Sequence, residues 1–253
     1  MSRTTFVRPV AVTAVKYIKK METGGSNSHL IASKEGKFVV KSKQNRQGPK
    51  VLVNELVSVF LALNLLLPCP KATLVNVSPE FIEANQAVLS TFSPGLHFGS
   101  EYHGSDESKV TSTFDSQTIK QAHNFNELAD IMAFDVWTAN TDRTLSNLIS
   151  YENQILMIDH GHSFTGPDWT APSLRASVNN SYGWQQPLKE FVNRDLLNEQ
   201  IKRIKSLDPA IIQAAIDEEP DEWGLTSDDK NSLLEFLIHR QTAIEELLAK
   251  AIQ

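Results

Sequence analysis

The chain predicts an α+β protein in two lobes, a small antiparallel β-sheet with one helix followed by a mainly helical lobe. Two observations lead there. Short β-branched runs dominate its front, and apolar residues behind them recur at helical spacing. Ser93-Pro94-Gly95 marks the joint, so the expected lobes are residues 1–95 and 96–253. A cleft between two lobes is the default place for a ligand.

Element by element, Val10 to Ile18, His29 to Ser33 and Phe38 to Ser42 read as strands, the last two joined by the hairpin signal Lys34-Glu35-Gly36. Gln47-Gly48-Pro49 reads as a helix start, and Leu52, Leu56, Val59, Phe60 and Leu63 form its buried stripe up to Pro68. Ala72 to Val77 and Gln86 to Phe92 read as two further strands. His97 to Ser116 is polar and rich in Ser and Gly, and is expected to be a loop. Helical spacing then appears at Phe125 to Val136, Phe191 to Ile204, Ile211 to Ala215 and Leu233 to Leu248.

Composition excludes several classes. With 253 residues, 41% hydrophobic and 21% charged, the chain can bury a core and is not disordered. A net charge of -6 argues against a protein that coats nucleic acid. One cysteine, Cys69, allows no intrachain disulfide. The start has no apolar leader, and the longest apolar run, Val57 to Leu67, is too short to span a bilayer. A cytoplasmic protein without membrane contact is the expectation.

The chemistry concentrates in Asn140-Thr141-Asp142 through Asn147 and in Asp159-His160-Gly161, which flank two short apolar strands and a polar turn. A turn centred on Asn153 would set Asn147 opposite Asp159, with Cβ atoms about 5 Å apart. An amide oxygen beside a carboxylate suits a hard cation such as Mg²⁺. Asp142, five residues before Asn147, would be close enough to take a proton from a hydroxyl. In the front lobe, alternation puts Lys41 on the strand face opposite Phe38 and Val40, and Glu55 lies beside the apolar stripe of the helix, where a carboxylate wants a cation. Lys41 is the expected partner, and Lys43, of equal parity, the fallback. Gly24-Gly25-Ser26-Asn27-Ser28 would let backbone N–H groups approach phosphates. His160 and His162 are read as structural, the four tryptophans as packing residues, and the acidic run Asp217 to Glu222 as a solvated loop.

Together, Asn140-x-Asp142-x4-Asn147, Asp159-His160-Gly161 and the upstream Lys41 and Glu55 resemble the bacterial HipA-like serine/threonine kinases and, more distantly, the phosphatidylinositol 3- and 4-kinases. The resemblance runs from about residue 10 to 165. It implies a bilobal protein-kinase-like fold and transfer of the γ-phosphate of ATP, with Mg²⁺, to a protein hydroxyl. Asp142 would be the catalytic aspartate, Asn147 and Asp159 the Mg²⁺ ligands, Lys41 the phosphate-binding lysine and Glu55 its brace. Gly24, Gly25, Ser26 and Ser28 would belong to the phosphate loop, Ser26 or Ser28 being placed for autophosphorylation, and Ala87 to Phe92 would form the hinge for adenine. One departure is Thr144, where most relatives carry histidine. Two other readings stand beside this one: a small-molecule or lipid-head-group kinase, and a nucleotide-binding pseudokinase acting as a binding module. A small helix-turn-helix partner would point to a toxin-like role.

Overall fold

Strands β1 (Ala11–Thr13), β2 (Lys16–Lys20), β3 (His29–Ala32), β4 (Lys37–Lys41), β5 (Ala72–Val77) and β6 (Gly95–Glu101) form one sheet in the order β1-β5-β6-β4-β3-β2. The computed structural model describes residues 9–21, 27–48, 50–104 and 114–252. The expected antiparallel sheet holds for every neighbouring pair but β1 and β5, which run parallel. The single strand expected over Val10 to Ile18 is two strands at opposite edges. Ala14 N donates to Asn76 O on one side, and Val15 N donates to Ala32 O on the other, at 3.0 and 2.8 Å. Edges joined by so short a link force the sheet to curl.

Two expectations fail in adjacent segments. Gln86 to Phe92 is not a strand. Ser78 caps a helix with Pro79 at its first turn, giving α2 (Pro79–Ala84), and α3 (Gln86–Leu89) follows at once. Leu89 and Phe92 cover the outer face of the sheet, against Phe38, Val40 and Val75. The expected loop instead begins with β6, which lies between β5 and β4. Its composition hides it, because Gly99 sits where a Cβ would come within 2.6 Å of Val75 Cγ2 and 2.9 Å of Thr73 Cγ2. A close strand crossing needs glycine, and glycine lowers strand propensity. The boundary expected at 95/96 therefore falls at the start of a strand, and the sheet reaches Glu101.

Helix α1 (Lys50–Asn64) matches the expected span and is buried on every side from Val51 to Ala62. It packs against β5 and β6 in front and α7 (Pro209–Asp217) behind, so one core runs through both halves. The helical half contains α4 (Leu128–Thr138), α5 (Ala171–Ser177), α6 (Leu197–Ser206) and α8 (Ser227–Ala251). Fully buried Arg240 of α8 donates to the carbonyls of Trp137, Val178 and Asn180 at 2.7–2.9 Å and to that of Val136. It thereby satisfies carbonyls at the end of α4. The acidic run is not merely solvated: Glu222 pairs with Lys43 and accepts from Leu96 N at 2.8 Å, pinning β6 to the helical half. Trp137, Trp169, Trp184 and Trp223 are all buried, as packing residues should be. No helix among the described residues is long and apolar enough to cross a membrane.

His97 of β6 is fully buried, its Nδ1 accepting from Lys43 N at 3.1 Å and its Nε2 donating to Ser93 O at 2.9 Å. Burial lowers its pKa to about 4, against the opposing pull of the Ser93 hydrogen bond. The unfolded chain therefore binds a proton there that the folded chain refuses. Stability is complete above the ordinary value of 6.5 and falls as pH drops toward 4, by up to about 1.4 kcal/mol per pH unit. Urea unfolding between pH 7.5 and 5 should show this slope added to those of buried His29 and His160, whose pKa values are also lowered, and His97→Gln should reduce the total by up to about 1.4 kcal/mol per pH unit; an unchanged slope would assign the acid sensitivity to the other histidines.

Candidate active site

Three polar residues interrupt the apolar surface of α1, and all turn toward one loop. Asn54 Nδ2 donates to the carbonyls of Gly161, Ser163 and Gly166 at 2.8, 2.9 and 3.0 Å, while its Oδ1 accepts from Trp169 Nε1 at 2.8 Å. Ser58 Oγ donates to Ser163 Oγ at 3.0 Å. Glu55 Oε2 accepts from His160 N at 3.0 Å, and its Oε1 takes the Lys41 ammonium. Gly161 allows this approach, since a Cβ there would stand 3.0 Å from Val51 Cγ1.

Lys41 Nζ also donates to Asp159 Oδ1 at 2.7 Å, so the ammonium lies between two carboxylates. Burial alone would lower its pKa, but Asp159 and then Glu55 hold it above its ordinary value. Lys41 in turn keeps the Asp159 carboxyl well below the usual range. Lys43, the fallback, points away to Glu222 and Pro94 O. The Lys41 face also carries Val39, and both line a cleft walled by Glu55, Phe98, Tyr102 and Asp159.

The second half of the site hangs from α4. Ala139 ends that helix in the left-handed region at φ 53°, and Asn140 N bonds back to Asp135 O at 2.8 Å. Asp135, fully buried, receives Arg143 Nε at 2.8 Å and NH2 at 3.0 Å, Asn140 Nδ2 at 3.0 Å and Trp184 Nε1 at 2.8 Å. The Asp135 charge holds the Arg143 guanidinium protonated against its burial. Arg143 NH1 then donates to Asn147 O at 3.0 Å and Ile158 O at 2.6 Å, clasping the open end of the hairpin β7 (Leu148–Tyr151) and β8 (Gln154–Met157).

That hairpin differs by one residue from the expected register. Glu152 and Asn153 both adopt positive φ, 50° and 59°, forming a two-residue turn, so Tyr151 pairs with Gln154 and Leu148 with Met157. Such a turn matches the strand twist, whereas a turn centred on one residue does not. Asn147 consequently meets Ile158, whose N donates to Asn147 O at 3.0 Å, and does not face Asp159 as a cross-strand pair. Asp159 follows at φ 59°, a left-handed kink that carries its carboxylate to Lys41. Asn147 Nδ2 donates to Asp142 O at 2.7 Å, and its Oδ1 accepts from Ser146 Oγ at 3.3 Å. Thr144 Oγ1 lies 2.7 Å from Ser146 Oγ and extends this hydroxyl chain.

Exposed Asp142 opens on a groove between Asn140–Ser146 and Gly183–Leu188, and Ser146 lines both this groove and the cleft. Ser28 is buried against the cleft, while Gly24, Gly25 and Ser26 lie outside the described residues. The expected hinge at Ala87 to Phe92 is overturned: exposed Ala87 and Val88 sit on the outer side of the sheet, and β6 leads the chain out of it. Among the described residues, no group of three His, Cys, Asp or Glu could hold a metal. The expected set is one amide and one carboxylate, leaving other positions to phosphate and water.

A family model described as HipA-like kinase matches residues 14–251. The chain belongs to the HipA-like kinase family. It is therefore a kinase. The Helicobacter pylori proinflammatory kinase CtkA has a similar fold, with a TM-score of 0.66 and 14% identity over 96% of this chain and 98% of that one. HipA of Shewanella oneidensis, solved with HipB and operator DNA, aligns at a TM-score of 0.44 and 13% identity over 91% of this chain and 66% of that one. No curated protein matches the chain.

The sequence reading of this HipA-like kinase missed Asp135, Arg143 and Asn54. A signal existed for two of them: Asp135 interrupts the apolar stripe of α4, as Asn54 does that of α1. Arg143→Ala leaves Asp135 as a buried charge without its ion-pair partner, and should destabilise the kinase by about 3–5 kcal/mol. Urea unfolding measures this, and a loss below about 1 kcal/mol would mean the loop stands without the pair.

Proposed function

We propose that this HipA-like kinase transfers the γ-phosphoryl group of ATP to a hydroxyl of a protein. The observation that carries the reading is Lys41 held between Glu55 and Asp159 in a cleft that adjoins, at Ser146, the groove on which Asp142 opens. Phosphoryl transfer asks little covalent chemistry of the protein; it asks for neutralised charge and an aligned nucleophile.

Lys41 binds the α- and β-phosphate oxygens, and Glu55 keeps its ammonium from settling wholly on Asp159. Asp159 and Asn147 hold Mg²⁺, which supplies charge neutralisation at the phosphates. The donor set fits: Asp159 stays ionised beside Lys41 with its side chain 29% exposed, and the amide of Asn147 is fixed at Nδ2, while its Oδ1 accepts only a long bond from Ser146 Oγ and keeps a lone pair for a cation. Asp142 aligns the acceptor hydroxyl and takes its proton. The hydroxyls of Thr144 and Ser146 steady Asn147 where most relatives have a histidine two residues after the aspartate. Ser28, against the cleft, and Ser26 are the autophosphorylation candidates.

Incubation with γ-labelled ATP and Mg²⁺, alone and with a cell lysate, tests the acceptor. Label on protein supports the reading. Label in small molecules or lipids moves the acceptor class, and nucleotide binding without any transfer leaves a pseudokinase. Asp142→Asn should lower transfer by about 10²–10⁴-fold with the melting temperature unchanged, because the side chain is exposed. Asp159→Asn should abolish transfer and nucleotide-linked thermal stabilisation together. Transfer at the parent rate in either variant would refute the assignment.

A further inference from the structure

The groove beside Asp142 has a second wall whose polar side chains have no part in the transfer chemistry. The groove encloses about 360 Å³ between the loop Asn140–Ser146 and the segment Gly183–Leu188, room for a short piece of chain. Both walls hang from one residue. Asp135 takes Asn140 Nδ2 at 3.0 Å and Arg143 Nε at 2.8 Å from the first, and Trp184 Nε1 at 2.8 Å from the second. Behind the second wall, Gly183 is pressed against the end of α8, where a Cβ would stand 2.5 Å from Ala251 O. The width of the groove is therefore set in advance, which lowers the ordering cost of binding.

Between its buried ends, Trp184 and Leu188, this wall presents Gln185 and Gln186. Both are exposed, and neither side-chain amide has a hydrogen-bond partner among the described residues. Lys189 N donates to Gln185 O at 3.3 Å and Glu190 N to Pro187 O at 3.1 Å, a tight turn that fixes the backbone beneath them. Each amide offers a carbonyl and N–H donors, the complement of a peptide group. Charge narrows the ligand further. Asp142 is the one exposed charge among the described lining residues, since Arg143 is buried and gives its donors to Asp135 and to the carbonyls of Asn147 and Ile158. An anionic acceptor such as an inositol phosphate would meet a carboxylate there, with no exposed cation to answer it. A polypeptide segment without acidic side chains meets no such penalty.

We propose that Gln185 and Gln186 select the acceptor, taking the peptide groups of an extended segment that brings a Ser or Thr hydroxyl with uncharged or basic neighbours to Asp142. The role of the groove rests on the phosphotransfer reading, but the binding itself can be measured without transfer. The test is titration of the intact chain with a pool of short peptides carrying a central Ser and uncharged or basic flanks. A matched pool with Asp and Glu flanks and an inositol phosphate are titrated in parallel, all read on the side-chain amide signals of Gln185 and Gln186 in ¹H–¹⁵N spectra. Saturable shifts with the first pool, and weaker ones or none with the other two probes, are expected. Gln185→Ala/Gln186→Ala should weaken binding of the first pool about tenfold through the loss of two hydrogen bonds. Gln185→Lys/Gln186→Lys should bind the acidic pool more tightly than the parent does, and both variants should keep thermal stabilisation by ATP. No saturation by the first pool, equal binding of the acidic pool or inositol phosphate, undiminished binding in the alanine variant, or an acidic pool still refused by the lysine variant would overturn the proposal. Peptide shifts in a chain that transfers no phosphate would sink only the phosphotransfer reading, and transfer to protein without peptide shifts only the present one.

Discussion

Lys41, Glu55 and Asp159 come from a strand, a helix and a turn far apart in sequence, and their burial is mutual. Buried Glu55 without Lys41 would be an unpaired carboxylate, and Lys41 without both acids an ammonium in a dry wall. Because the ammonium has two acceptors, it tethers the sheet to α1 and to the Asp159 turn at once. The geometry of the cleft follows from where those three elements must meet. Helix α1 is the common support, with its neighbouring polar residues Asn54 and Glu55, and Ser58 one turn on, all spent on the loop that starts at Asp159.

A second buried pair, Asp135 with Arg143, does for the helical half what Lys41 does for the sheet. Its guanidinium exhausts its donors on Asp135, two backbone carbonyls and the His160 ring at 3.3 Å. The two systems touch at neighbouring residues: Glu55 accepts from the His160 backbone, and Arg143 meets the His160 ring. Burial, with Arg143 beside it, drives the His160 pKa far down, so the ring is a neutral spacer between two charged networks. That gives His160 a structural place, in line with its reading from the sequence.

How much of this was legible follows from where the information lies. Strands β3, β4 and β5 and the long helices α1 and α8 were readable because each has a regular face to bury. Strand β6 was not, because its central place demands Gly99, and glycine reads locally as loop. The segment after β5 was lost to the opposite error: Val88 and Leu89 look like strand, but Ser78-Pro79 had already committed the chain to helix. Spacing brought Asn147 and Asp159 to the same end of a hairpin, yet its one-residue offset depends on two positive φ values at Glu152 and Asn153 that neither residue announces. The supporting residues were hidden for another reason. A buried Asp or Asn in a helix shows in sequence as an interrupted stripe, but its partners lie in distant loops.

Alternation within β4 and β3 also explains how one thin sheet can present two separate faces. Val39 and Lys41 face the cleft, while Phe38 and Val40 close the outer cluster, and the ladder carries the division across to His29. Side chains on opposite faces of a strand share a backbone but few contacts, so each face can be packed separately. The curl of the sheet strengthens the separation. With β1 and β2 drawn together by Ala14 and Val15, the outer face is wrapped under α2 and α3 and the inner face around α1. Each surface is therefore set by its own packing. Exposed groups such as Lys20 can vary on the outer side without disturbing the buried lysine on the inner one.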